Sequence, residues 1–174
     1  MRLALVAATL AFISPPVFAS SSADYTKFLQ ALEGDWQGQG NAMGNDGTGI
    51  QGSFDFEMSV GREGNTNTWL ANTGRSTGSG SSVQDQITFY LAGQILEIDH
   101  ESIMGGFTTI TDSSDHSIDY DVSETQGTSF VDHYYHWDVS GNGLSGSVKV
   151  EVDGQEIYEE SFQATKNQRP LHIR

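Results

Sequence analysis

The chain has 174 residues, with 8 lysines and arginines against 23 aspartates and glutamates and a formal charge of −15. That surface disfavours a phosphate-backbone partner and a basic attachment to anionic lipid. With no cysteine, the fold rests on packing and hydrogen bonding rather than on disulfides.

Residues 1–19 read as an export signal: Arg2 behind Met1, an apolar run over 3–13, then Pro15-Pro16 and small residues at Val17 and Ala19. The run is shorter than the roughly 20 residues that span a bilayer. Cleavage after Ala19 is expected, giving a periplasmic or secreted protein without a membrane anchor. Residues 20–174 then form one domain. Asp24 is placed to N-cap a short helix over 25–32, with Phe28, Leu29 and Leu32 on one side and Gly34 ending it.

From Asp35 onward the period is two. Ile50, Phe54, Phe56, Met58 and Val60 alternate with polar residues, and a strand over 69–75 follows. Val83, Asp85, Ile87, Phe89 and Leu91 share the next inward face, followed by Leu96, Ile98 and His100. Residues 102–114 are weakly patterned around Gly105-Gly106. Ile118, Tyr120 and Val122 resume the alternation, then Val131, His133, Tyr135, Trp137 and Val139. Leu144, Val148, Val150 and Val152 form another inward series, and Tyr158, Phe162 and Ala164 the last. Ala92-Gly93, Gly141-Asn142-Gly143 and Asp153-Gly154 supply tight turns, and the glycine-serine run 76–82 is placed to border a barrel mouth. Consecutive antiparallel strands that hide their edges imply one all-β, closed up-and-down barrel of 8–10 strands with a short N-terminal helix.

Leu32-Glu33-Gly34-Asp35-Trp36-Gln37-Gly38-Gln39-Gly40 opens this series. The run resembles the Gly-x-Trp-x-Gly opening of bacterial lipocalin-like barrels of the calycin group. The resemblance implies that Gly34 and Trp36 are structural, with Trp36 packed across the closed end. Haem-binding nitrobindin-type barrels share the opening. They also carry a Gly-x-Tyr-Pro segment and a ligating C-terminal histidine, which Gly40-Asn41-Ala42-Met43 and His172 do not match. No cofactor is expected.

The candidate cavity is built from His100, His133, Tyr135, Trp137, Asp85, Phe54, Phe56 and Phe89. The imidazoles and the phenol can orient a small ligand or act as acid and base; the alternative is that they are hydrogen-bonded filler. Asp85 either sits exposed at the mouth or is buried and hydrogen-bonded. His133 and His136 point to opposite faces, and two candidate ligands do not make a metal site. The acidic run Asp112, Asp115, Asp119, Asp121 and Glu124 lacks calcium-loop spacing and reads as a solvated face. No catalytic motif is present. The expected function is therefore to bind a small hydrophobic or amphipathic molecule inside the barrel. The alternatives are an isomerase-, cyclase- or hydratase-type enzyme using His, Tyr and Asp, or a packed envelope interaction protein. Oligomeric state is not legible.

Overall fold

The computed structural model describes residues 22–103 and 105–167. The expected export signal and His172 lie outside the described residues. Helix α1 (Ser22–Leu32) precedes β1 (Gly34–Gly44), β2 (Gly52–Arg62), β3 (Thr68–Thr77), β4 (Ser82–Ala92) and β5 (Ile95–His100). The chain continues through β6 (Phe107–Ser113), β7 (Ser117–Gln126), β8 (Ser129–Ser140), β9 (Gly143–Val152) and β10 (Gln155–Lys166). The helix includes Ser22 and Ala23, so Asp24 lies within its first turn rather than capping it.

All ten strands belong to one antiparallel sheet in the order β5-β4-β3-β2-β1-β10-β9-β8-β7-β6. β1 and β10 pair from Trp36 opposite Lys166 to Gly44 opposite Tyr158, bringing the two ends of the strand series together. The strand count is the upper limit expected, but the barrel is nearly closed rather than closed. β5 and β6 share no ladder. One side-chain bond crosses the seam between them, from the Thr108 hydroxyl to the Ile98 carbonyl at 2.7 Å. The connection explains the gap. Asp85 holds the backbone N–H of Ser102 at 3.1 Å, and Ile103 is buried, so the chain leaving β5 turns inward instead of forming a tight hairpin.

α1 closes one end. Phe28, Leu29 and Leu32 are buried, as their spacing requires. Its last carbonyls, which have no partner within a helix, are taken from outside. The Trp36 indole donates to Leu32 O at 2.8 Å and Lys166 Nζ to Ala31 O at 3.0 Å. Trp69 joins them through Glu33 Oε1 at 2.7 Å. Trp36 is thus structural, across the closed end.

The glycines after Trp36 answer a packing demand. Gly38 stands opposite Phe56 and Ala164, and Gly40 opposite Phe54 and Phe162. This side-chain-free strip leaves the interior to phenylalanines: Phe56 and Phe162 stack at 4.0 Å between centroids. At the other end the loop 45–51 folds over the mouth and buries Ile50, which the alternation had placed in a strand. The glycine-serine turn between β3 and β4 lies at this same open end.

Candidate functional site

Above the aromatic floor of Phe56, Phe162 and Trp137, the barrel encloses a cavity of about 230 Å³ that reaches Asp46 and Thr48 at the mouth. Its walls come from every strand from β2 to β10 except β6. Several of its polar groups, among them His133 and Glu160, sit at inward strand positions in series with apolar or aromatic residues.

Two hydrogen-bonded units line the cavity. In the first, Asp85 Oδ2 lies 3.2 Å from His100 Nδ1, and His100 Nε2 lies 3.0 Å from the Tyr120 hydroxyl. The carboxylate can only accept, so Nδ1–H donates to Asp85, and in the neutral imidazole Nε2 then accepts from Tyr120. Burial pushes Asp85 upward, but the bonds from His100 and Ser102 more than offset it and hold the carboxyl below its ordinary value. Burial lifts Tyr120 well above the usual phenol value, so it stays a donor. In the second unit, Arg75 Nη1 donates to Glu160 Oε2 at 2.7 Å, and the Tyr158 hydroxyl donates to the same oxygen. Burial opposes the charge on Arg75, and Glu160 more than restores it.

Tyr135 stands between the two. Its ring stacks on Tyr120 at 4.7 Å and lies 4.6 Å from His100 and 6.4 Å from His133. Burial, with Asp85 next, raises its phenol far above the ordinary value, so it is a proton donor at any physiological pH. No described residue accepts that proton. Trp137 carries a second unmet donor: the residue is 3 % exposed and its Nε1–H has no partner. A buried donor left unpaired costs about 1–3 kcal/mol unless something enters to accept from it.

The expected cavity residues divide. His100, His133, Tyr135, Trp137, Asp85 and Phe56 line the space together. Asp85 is neither exposed at the mouth nor fully buried: its side chain is 10 % exposed and hydrogen-bonded. Phe54 and Phe89 point inward but are packed core. The Phe54 ring lies against Gly40, and Phe89 meets Trp137 edge-on at 6.1 Å. Arg75 and Glu160 escaped the sequence reading, and Tyr158 was expected to point inward but not to belong to the site. Glu124 does not belong to the solvated acidic face: it follows Ile118, Tyr120 and Val122 inward and sits 3.3 Å from His133 Nε2. Asp119 does face outward, paired with His136 at 2.6 Å. No group of three His, Asp or Glu among the described residues is arranged to hold a metal ion. At about 230 Å³ the space is smaller than the roughly 300–1,000 Å³ of clefts that take drug-sized ligands, so it does not fit haem.

His133 gives the site a pH dependence. Burial holds its imidazole below the ordinary value of 6.5, with Glu124 pulling the other way. As pH falls through that value, the unfolded chain takes up a proton that the folded chain resists, so stability is lost toward acid. Asp85, also held low, adds to the loss at more acidic pH. The urea midpoint is expected to drop between pH about 7.5 and pH about 5.5, and to drop less in His133→Gln. Equal drops in both proteins would place the titration elsewhere.

Fold and site together define the class: a nearly closed, antiparallel up-and-down barrel with one plugged end and an interior that could hold a ligand, consistent with a calycin-like fold. The crystal structure of Rv2717c from M. tuberculosis matches 80 % of this chain and 95 % of its own, with TM-score 0.52 and 15 % identity. At that identity the likeness is one of fold. A second solved structure, of a Lactobacillus plantarum protein designated an oleoyl thioesterase, covers 87 % of this chain and 84 % of its own at 10 % identity. Its TM-score is only 0.21, too low to bear on the fold. No protein-family model and no curated protein sequence matches the chain.

Proposed function

We propose that this is an exported, lipocalin-like binding protein that holds one small amphipathic molecule inside the barrel. The ring-lined cavity, with the Tyr135 hydroxyl in its wall as a donor that no described residue accepts from, carries the reading. A donor that the fold leaves unmet at a cavity wall can be met by a ligand acceptor. Trp137 adds ring surface to the same wall. The size of the space favours a molecule of about one ring, since it equals roughly eight waters.

The enzyme alternative gains little support from the geometry. Both nitrogens of His100 are engaged within the protein, so it has no free atom with which to exchange a proton with a substrate; the enzyme alternative is left with His133, which is bonded at Nε2 alone.

Native mass spectrometry of the folded protein from its own host tests the proposal. A stoichiometric small molecule, released on denaturation, is expected. Added back to stripped protein, it should move the indole N–H resonance of Trp137. A bare mass from fully folded protein, or a recovered molecule that leaves that resonance unmoved, would overturn the reading.

A further inference from the structure

The charge of the cavity narrows the ligand. Four carboxylates, of Asp46, Asp85, Glu124 and Glu160, line it against the single guanidinium of Arg75. Three of these acids have an oxygen to spare: Asp46 at the mouth, where both bonds from Thr48 fall on Oδ1, and Glu160 and Glu124 further in. Every bond to Glu160 falls on Oε2, from Arg75 and Tyr158, and every bond to Glu124 falls on Oε1, from His133 and Gln126. Glu160 Oε1 and Glu124 Oε2 therefore have no partner among the described residues, although Glu160 is only 3 % exposed. Tyr135, whose ring stacks on Tyr120, lines the same space. The fields at its hydroxyl agree in sign: Asp85, Glu160 and Glu124 all hold the proton on, and only Arg75 opposes them.

We propose that the interior ligand is a small organic cation, a protonated amine carried on a flat ring, with its ammonium met by the spare oxygen of Glu160 and by the aromatic wall, and with Glu124 adding to the negative field of the cavity. The inference rests on the binding reading above and adds the sign of the charge. An ammonium leaving water needs acceptors and π-faces, and this cavity offers both. A carboxylate or phosphate entering it would meet a net excess of negative charge. The overall charge of −15 favours the approach of cations by the same physics. The Tyr135 hydroxyl, a donor that no described residue accepts from, suits an acceptor on the ring of such a ligand.

Three probes of one shape test this: benzylammonium, benzyl alcohol and benzoate, titrated into the purified protein by calorimetry while the Trp137 indole resonance is followed. Benzylammonium is expected to bind on the order of tenfold more tightly than benzyl alcohol, with benzoate weakest, and to move that resonance. Glu124→Gln should shrink the preference for the amine over the alcohol. If the alcohol or benzoate binds as well as the amine and moves the resonance, the cation inference fails and interior binding stands. If the amine binds with the resonance unmoved, it sits on the acidic surface and the inference fails. If none of the three binds, the inference and the binding reading fail together.

Discussion

Replacing Glu160 by alanine is expected to lower the unfolding free energy by about 3–5 kcal/mol, read from urea denaturation midpoints. The carboxylate is 3 % exposed and serves two donors at one oxygen. Its removal strands the Arg75 guanidinium, whose side chain is 15 % exposed, without its counter-charge. Tyr158 loses its acceptor in the same step. Glu160→Gln keeps the volume and one acceptor and should cost less. The double change Arg75→Met with Glu160→Met should return the stability to near that of the parent, because removing both charges also removes their desolvation cost. A Glu160→Ala protein within about 1 kcal/mol of the parent would mean that cavity water solvates the arginine fully.

The second large effect is expected at Gly38. A Cβ there would lie 1.9 Å from the Gln163 carbonyl oxygen and 2.5 Å from Ala164 Cα. Both are backbone atoms of β10, paired with β1 along its length, so neither can swing aside as a side-chain end would. Gly38→Ala is expected to cost about 3 kcal/mol or more, at the upper end of overpacking effects. Gly61→Ala is the control on the neighbouring strand, where a Cβ meets nothing within 4 Å; it should be neutral or slightly stabilising. Thermal melts and soluble yields of the two variants decide the matter. A Gly38→Ala protein that melts with the parent would show that β1 and β10 can part locally at no cost.

Much of this architecture is legible in the sequence because a strand has only two faces. Alternation alone put Ile98, His100, Tyr135 and Trp137 on the inner surface, where the structure has them. The same counting reaches Arg75 from Trp69 and Ala71, and Glu160 from Tyr158 and Phe162. Both are charged, and side-chain type outweighed position. Glu124 went astray likewise, grouped with Asp119 and Asp121 by charge although it keeps step with Tyr120 and Val122. Other features are not encoded in alternation at all. Phe54 and Phe56 share a face, yet only Phe56 lines the cavity, because height within the barrel depends on the stagger between strands. The seam at β5 and β6 depends on where the chain goes directly after His100, and the bond from the Ser102 backbone N–H to Asp85 helps to set that. The closed end was legible as an apolar helix followed by Trp36, but not the bonds from Trp36 and Lys166 to its last carbonyls.

The strand order has a kinetic consequence. Every ladder except that between β1 and β10 joins strands consecutive in the chain. Those hairpins close short loops and can form early, on each half of the sheet independently. The β1–β10 ladder must bring together segments from opposite ends of the domain, so it carries most of the loop-closure entropy and is where a folding barrier of high contact order would lie. The side-chain-free strip along β1 falls on that late-forming junction. The place that tolerates least bulk is also the place where the two halves must find each other.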